Sequence, residues 1–296
     1  QHFLERPASA EVARSLAAGD LRMSAGVFGN GASWLYSLAL TGNTVSTLNT
    51  QATGFTAASY DEQLGVAARL AGTPLRGRDW LVHVGVNYTG VIHPADAGAA
   101  AAVRYPVQLR DRPELRVDGT RLIDTGALNA RSASATGLEL AGQYKGLFAQ
   151  GEAFAYRVQR YNPAAGVSNP AFQGWYVEGG WSLTGEARKY NLQTAAFDGV
   201  TPRVNFDPQS GGWGAFELVA RYSTLDLDDH EGAALAADRV LGGRQDIASL
   251  GLDWQLNADM RLVFEGQSVR IDRLNSAGAQ IGQTYNAFAV RSQFNF

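Results

Sequence analysis

Apolar and polar side chains alternate with a period of two along most of this 296-residue chain. In the segment 286–296, one face carries Phe288, Val290 and Phe294, and the other carries Arg291 and Gln293. Successive side chains of a β-strand point to opposite faces, so this pattern predicts strands with one apolar and one polar face. The same pattern predicts about twelve strands, near 22–29, 32–41, 60–71, 79–90, 102–115, 134–145, 148–158, 172–184, 212–225, 245–257, 259–271 and 284–296.

Helical periodicity is confined to a short stretch at 11–18, for which Ser9 is the expected N-cap. Tight turns are expected at 145–146 and 257–259, and longer loops at 41–59, 159–169, 226–244 and 272–283. Short turns that alternate with long loops are typical of an up-and-down barrel with unlike ends. The segments 91–133 and 185–211 do not fit this alternation, and each leaves room for a further strand. Pro106 and Pro113 weaken the strand predicted at 102–115, because proline cannot donate to the ladder.

Composition and motifs exclude several classes of function. The absence of cysteine excludes disulfides, thiolate metal sites and a cysteine nucleophile, and a net charge of −3 argues against a nucleic-acid partner. None of the four histidines lies in a His-Glu-x-x-His motif, and the chain contains no Gly-x-Ser-x-Gly or Walker motif. We therefore expect no enzyme activity, no cofactor and no metal site. The acidic run 226–231 is expected to be a solvated loop rather than a cation site.

Alternating strands occur both in soluble β-sandwiches and in transmembrane barrels. Three features favour a transmembrane antiparallel β-barrel: aromatic residues near strand ends, polar faces with little charge, and an amphipathic strand that ends on the aromatic Phe296. A soluble β-sandwich that acts as a binding module remains the alternative. The aromatic residues near strand ends are Trp34, Tyr36, Tyr88, Tyr144, Trp175, Trp181 and Trp254.

Several motifs also carry a family resemblance. They include Gly137-Leu-Glu-Leu-Ala141, Gly174-Trp-Tyr-Val-Glu178, Gly214-Ala-Phe-Glu-Leu-Val-Ala-Arg-Tyr-Ser223, Leu250-Gly-Leu-Asp-Trp-Gln-Leu-Asn257 and, near the start, Phe3-Leu-Glu-Arg-Pro7. In these segments the chain resembles the phosphate-selective porin O and P family of bacterial outer-membrane porins. The resemblance implies a sixteen-stranded barrel and a homotrimer, with outer-membrane lipid, lipopolysaccharide and small anionic solutes as partners. We accordingly expect residues 1–296 to form one porin domain whose N-terminal strands, about four in number, are missing.

Anion passage requires fixed positive charge on the inner face of the barrel wall. Alternation predicts that Arg69, Arg221, Arg261 and Arg291 face inward, and that Arg104, Arg110 and Arg112 share one face of the strand at 102–115. The family resemblance implies arginine ladders that pass phosphate, and the second group is the best candidate for one. The alternative is that inward arginines pair with Glu139, Glu178, Glu217 and Glu265 and stiffen the wall. A register shift of one residue would move the whole set to the other face.

The predicted function is passive diffusion of small anions through a water-filled channel, with phosphate or pyrophosphate as candidate solutes. A non-selective porin is one alternative. A plugged barrel that serves as a scaffold or adhesin, without transport activity, is another.

Overall fold

The computed structural model describes residues 3–19, 21–44, 63–115 and 119–295. Predictions that fall on residues 45–59, on 60–62 or on Phe296 lie outside these ranges. The elements are one helix, α1 (Ala8–Ala17), a 3₁₀ turn at Ala236–Asp238, and the strands β1 (Arg22–Asn30), β2 (Trp34–Thr44), β3 (Leu64–Arg76), β4 (Trp80–His93), β5 (Pro106–Val107), β6 (Arg110–Asp111), β7 (Ile123–Asp124), β8 (Leu128–Tyr144), β9 (Leu147–Arg160), β10 (Ala171–Ser182), β11 (Tyr190–Asn191), β12 (Ala196–Phe197), β13 (Ala215–Asp229), β14 (Val240–Gln255), β15 (Met260–Asp272) and β16 (Thr284–Phe294).

The long strands form one antiparallel sheet in the order β1-β2-β3-β4-β8-β9-β10-β13-β14-β15-β16, and β5 pairs with the start of β8. Two small hairpins, β6–β7 and β11–β12, stand apart from this sheet. Within the described ranges β1 and β16 form the two edges. The predicted all-β antiparallel fold is confirmed, and the neighbour-to-neighbour strand order is that of an up-and-down β-barrel.

Alternation along each strand separates two faces of the sheet. In β10, Phe172 and Tyr176 are buried on one face, while Trp175 and Val177 are exposed on the other. We call the buried side the inner face and the exposed side the outer face. Leu138 and Leu140 of β8 are more than 60% exposed on the outer face. A continuous sheet surface of exposed large apolar side chains requires an apolar surrounding rather than water.

Helix α1 lies against the inner face and shows that the sheet is curved. It contacts β2, β3, β4, β8, β9, β10 and β13, which are consecutive neighbours in the sheet. A helix of 10 residues is about 15 Å long, whereas seven strands side by side would span about 29 Å if the sheet were flat. The sheet therefore bends around the helix. Val12 and Leu16 of α1 pack in the main apolar core with Leu225 of β13.

The prediction for the helix cap was wrong. The helix begins at Ala8, and Pro7 occupies the N-cap position without a side-chain hydrogen bond. Ser9 lies inside the helix, where its backbone carbonyl accepts a hydrogen bond from the Tyr156 hydroxyl. A carboxylate from another segment caps the helix instead: Glu114 Oε1 accepts a hydrogen bond of 3.1 Å from the Ala8 amide in the first turn of α1.

Two long connections fold back onto the inner face. The segment 94–127 carries β5, β6 and β7, and Leu109 and Ile123 within it are almost fully buried in the main core. The segment 183–214 carries β11 and β12. The strand predicted at 102–115 was therefore wrong: only two short pairings occur there, because its apolar side chains pack onto the inner face instead of joining the sheet.

The two ends of the sheet differ in their connections. Short turns at 31–33, 77–79, 145–146 and 256–259 join strands at one end, and longer connections follow β2, β4, β9, β13 and β15 at the other. The segment 183–214 is the exception, since it is long but starts from the short-turn end. Among the described residues, no helix has the length and apolar character needed to cross a membrane.

Candidate functional site

The inner face carries a band of charged side chains on neighbouring strands. Alternation positions them: each occupies an inward place between two outward apolar residues, as Glu139 does between Leu138 and Leu140. The structure places Arg69, Arg221, Arg261 and Arg291 on this face, where each contacts other inner-face or folded-back groups. The carboxylates that face the same way are Glu139, Glu152, Glu178, Glu217, Asp253 and Glu265.

Arg221 of β13 lies at the centre of the most deeply buried group. Its guanidinium lies 2.6 Å from Glu114 Oε2 and 3.6 Å from Glu178 Oε2, and it donates to the Glu5 carbonyl at 3.1 Å. Its Cζ lies 4.1 Å from the centre of the Phe3 ring. Because this side chain is only 2% exposed, it holds the chain at 3–6 and the segment 94–127 on the wall and is not open to a solute.

Arg69 of β3 performs a similar role nearer the short-turn end. It pairs with Glu139 at 2.6 Å and donates to the carbonyls of Thr194 at 2.7 Å and Ala195 at 3.0 Å. His83 lies between Glu139, at 3.2 Å, and the hydroxyl of Tyr190, at 2.6 Å. Arg69 and His83 thus hold hairpin β11–β12 on the inner face.

Tyr190 keeps its proton in this position. Burial, partly offset by the nearby Arg69 charge, raises the pKa of Tyr190 to about 12. The Tyr190 hydroxyl therefore stays protonated throughout the neutral range.

A third charged group lies between the segment 183–214 and β13, β14 and β15. Arg188 pairs with Glu217 and lies 4.2 Å from the centre of the Phe148 ring. Arg261 lies 3.6 Å from Asp253 and donates to Gln293 at 2.7 Å. Both arginines therefore have partners within the protein, and sequence reasoning did not single out Arg188.

Arg291 of β16 donates to the carbonyl of Leu4 at 2.8 Å. Leu4 is also bound through its amide to Glu265 at 2.8 Å. Two strands thus fix the chain at 3–6 across the inner face. Arg69 and Arg221 pair with carboxylates named in the alternative interpretation, Glu139 for the first and Glu178 and Glu265 for the second. Arg261 pairs instead with Asp253, and Arg291 binds a backbone carbonyl.

The predicted ladder of Arg104, Arg110 and Arg112 is not formed along one strand. Arg104 is exposed and pairs with Asp96 at 2.8 Å, and this hydrogen bond lowers the pKa of Asp96. Arg110 lies in β6, and Arg112 follows it in the connection toward β7. The ladder prediction was wrong because this segment folds back as a hairpin, so even spacing does not put the three side chains on one face.

A different group forms at the same place, and we call it the arginine cluster: Arg110, Arg112 and Arg121. Burial lowers the pKa of Arg121, and the neighbouring charges of Arg110 and Arg112 lower it further. No carboxylate among the described residues forms an ion pair with any member of the cluster. The Arg112 side chain donates to the Gly119 carbonyl at 3.3 Å, and the Arg112 amide donates to Asp111 Oδ1 at 2.8 Å. Asp111 and Asp124 offset part of this positive charge. The three arginines are still a local concentration of positive charge, which attracts an external anion.

Sequence reasoning missed Arg121, because Arg110 and Arg112 lie eleven and nine residues earlier in the chain and come near it only through hairpin β6–β7.

The acidic run near the end of β13 uses its carboxylates internally. Asp228 accepts from the Gly243 amide at 2.7 Å, and Asp229 contacts His230 Nδ1 at 2.6 Å. In the part of the chain that the structure describes, no group of three or more His, Asp or Glu side chains is arranged to hold a metal ion.

An antiparallel sheet that is apolar outside and charged inside defines the class of β-barrel porins. The sequence profile of the family described as phosphate-selective porin O and P matches residues 1–296. Porin O of Pseudomonas aeruginosa is 29% identical over 126 residues, which are 42% of this chain and 27% of that protein. An uncharacterized protein of Caulobacter vibrioides is 28% identical over 230 residues, which are 75% of this chain and 40% of that protein.

The chain belongs to the phosphate-selective porin O and P family. Its matched part spans less than half the length of both curated relatives. Family membership indicates a porin rather than an enzyme.

Proposed function

We propose that this chain forms part of the wall and constriction of an outer-membrane channel through which small anions diffuse passively. Phosphate and pyrophosphate are the candidate solutes. The arginine cluster carries this proposal: hairpin β6–β7, whose segment packs on the inner face, brings Arg121 near enough to Arg110 and Arg112 for their charges to lower its pKa. Small oxyanions accept hydrogen bonds from arginine in a planar, bidentate geometry.

The outer face supports a membrane location. Exposed aromatic side chains lie at the short-turn end of the sheet: Trp34, Trp80, Tyr144, Trp181, Trp213 and Phe294. Tyr88 lies about 26 Å from Trp80 along β4, on the same face. Strands of outer-membrane barrels tilt by about 35–45°, so this length corresponds to about 18–21 Å along the membrane normal, somewhat less than the apolar band of about 25 Å that aromatic girdles flank. Lipid and lipopolysaccharide would contact this band, and a homotrimer is the proposed assembly.

Charge neutralisation within the cluster tests the proposed role. The full-length porin is inserted in planar bilayers, and phosphate is titrated against the chloride current. We expect the triple variant Arg110→Gln, Arg112→Gln, Arg121→Gln to need at least about tenfold more phosphate for half-block. Arg157→Gln is the matched control, since Arg157 is exposed on the outer face of β9. Equal phosphate block in the triple variant and the wild type would contradict the role of the cluster.

A plugged scaffold or adhesin is the second candidate function. The amount of chain on the inner face favours it: α1, the segment 94–127 and the segment 183–214 all pack there, and the first two share an apolar core. Conductance separates the two functions. A scaffold inserts and shows the heat-dependent gel mobility of a barrel but produces no current steps.

A further inference from the structure

Arg273 follows β15 directly and extends its side chain to the segment that carries the arginine cluster. Its backbone is fixed within the connection from β15 to β16. The Arg273 amide donates to Gln280 Oε1 at 2.8 Å, and its carbonyl accepts from the Ile281 amide at 2.8 Å. The side chain therefore starts from an anchored position.

The guanidinium of Arg273 binds backbone carbonyls on both sides of a junction. Nη1 donates to Leu122 at 3.1 Å and Nη2 to Asp124 at 2.9 Å, both in the segment 94–127. Nε donates to Leu241 of β14 at 3.4 Å. Charged donors form stronger hydrogen bonds than neutral ones, and a planar fork fixes direction as well as distance. Lysine would preserve the charge but lose this fork.

Gly243 of β14 provides the space for this side chain. It has φ = 88°, and a Cβ at this position would lie 2.9–3.1 Å from Cγ, Cβ and Cδ of Arg273. Only glycine combines this backbone conformation with the close approach of the arginine stem. The absence of a side chain at Gly243 of β14 thus leaves the space that Arg273, directly after β15, occupies.

The bound carbonyls flank Ile123 in hairpin β6–β7. In this hairpin Arg110 lies opposite Asp124, and Asp111 lies opposite Ile123. Arg121 immediately precedes the first bound carbonyl. The contact therefore determines where the β7 side of the hairpin lies relative to β14, and with it the separation of Arg121 from Arg110.

We propose that Arg273 is a positioning residue that sets the anion affinity of the arginine cluster by fixing hairpin β6–β7 to the wall. This inference rests on the proposed function of the cluster. Arg273 acts through the planar geometry of its guanidinium, and a positive charge alone is insufficient for this role.

Phosphate block of the full-length porin tests this role with three variants. We expect Arg273→Gln and Arg273→Lys each to raise the half-blocking phosphate concentration about tenfold, since both lose the fork. Arg270→Gln is the control: it removes the same charge near the same strand end, but Arg270 is exposed and pairs only with Asp272 at 2.9 Å. If Arg273→Lys keeps wild-type block while Arg273→Gln loses it, the role is electrostatic and the positioning proposal is overturned.

A thiol probe measures the hairpin without relying on transport. The 296 residues contain no cysteine, so Ile123→Cys introduces a single buried thiol. We expect maleimide to label this thiol about tenfold faster when Arg273 is also replaced by Gln or Lys, and at an unchanged rate with Arg270→Gln. Unchanged labelling in the Arg273 variants would overturn the proposal. Faster labelling, combined with no effect of Arg121→Gln on phosphate block, would instead remove the proposed function of the cluster.

Discussion

Arg221 illustrates the cost of placing a charged side chain between a sheet and the chain packed on it. Its guanidinium has Glu114, Glu178 and Glu265 within 4.0 Å, and its side chain is almost fully buried. Removing one partner of a buried ionic group leaves uncompensated charge, which is more destabilising than the original pair is stabilising. Arg221 is therefore a wall residue, fixed by its carboxylate partners and closed to solutes.

For Arg221→Gln we expect a loss of roughly 3–5 kcal/mol in the free energy of unfolding. The variant removes the partner of Glu114 while leaving that carboxylate buried. Urea unfolding of the protein in lipid vesicles measures the change, and Arg291→Gln, which loses a hydrogen bond to the Leu4 carbonyl, is the milder control. A wild-type unfolding curve for Arg221→Gln would show that this buried group does not hold the folded-back chain.

Tyr190 predicts a change at alkaline pH. Its pKa is about 12 in the folded protein, against an ordinary value of about 10. The folded state therefore binds this proton more tightly, so the contact with His83 is fully present below pH 10 and is lost as the pH rises toward 12. The phenolate absorbance of the wild type minus that of Tyr190→Phe should titrate with a midpoint near 12. A midpoint near 10 would mean that Tyr190 is not buried against the wall.

At the level of elements, the folded-back segments depend on a few side chains from distant strands. Hairpin β11–β12 is bound by Arg69 through the Thr194 and Ala195 carbonyls. In Arg69→Gln we expect about tenfold faster amide hydrogen exchange over 190–197, because two charge-assisted bonds are lost. Arg203→Gln is the matched control, since Arg203 binds the Gly185 carbonyl at the other end of the segment. Equal exchange rates in the two variants would contradict this anchoring.

The long strands were predictable because alternation is a local pattern. In β10 or β14, the polarity of a residue and of its two chain neighbours indicates which face of the sheet the residue lies on. The positions of the folded-back segments were not predictable, because the residues that hold them lie far away in sequence. Glu114 accepts hydrogen bonds from Arg221 and Ser223, and Arg273 donates to the carbonyls of Leu122 and Asp124. The inward direction of Arg69 therefore followed from the sequence, whereas the arginine cluster required the fold.

At the scale of the whole molecule, the sheet separates an apolar outer surface from a charged inner one. The wall arginines are balanced by inner-face carboxylates or backbone carbonyls, so the net charge of −3 does not determine which ions pass. In the proposed channel, ion selectivity depends instead on the exposed charged groups along the passage.

The reversal potential of single channels tests this account most directly. The full-length protein is reconstituted in a planar bilayer with a potassium chloride gradient, and phosphate is then added. The account predicts discrete current steps, a reversal potential displaced toward the chloride equilibrium, and a current that phosphate reduces. A reversal potential on the potassium side, or no steps from protein shown to be inserted, would contradict it.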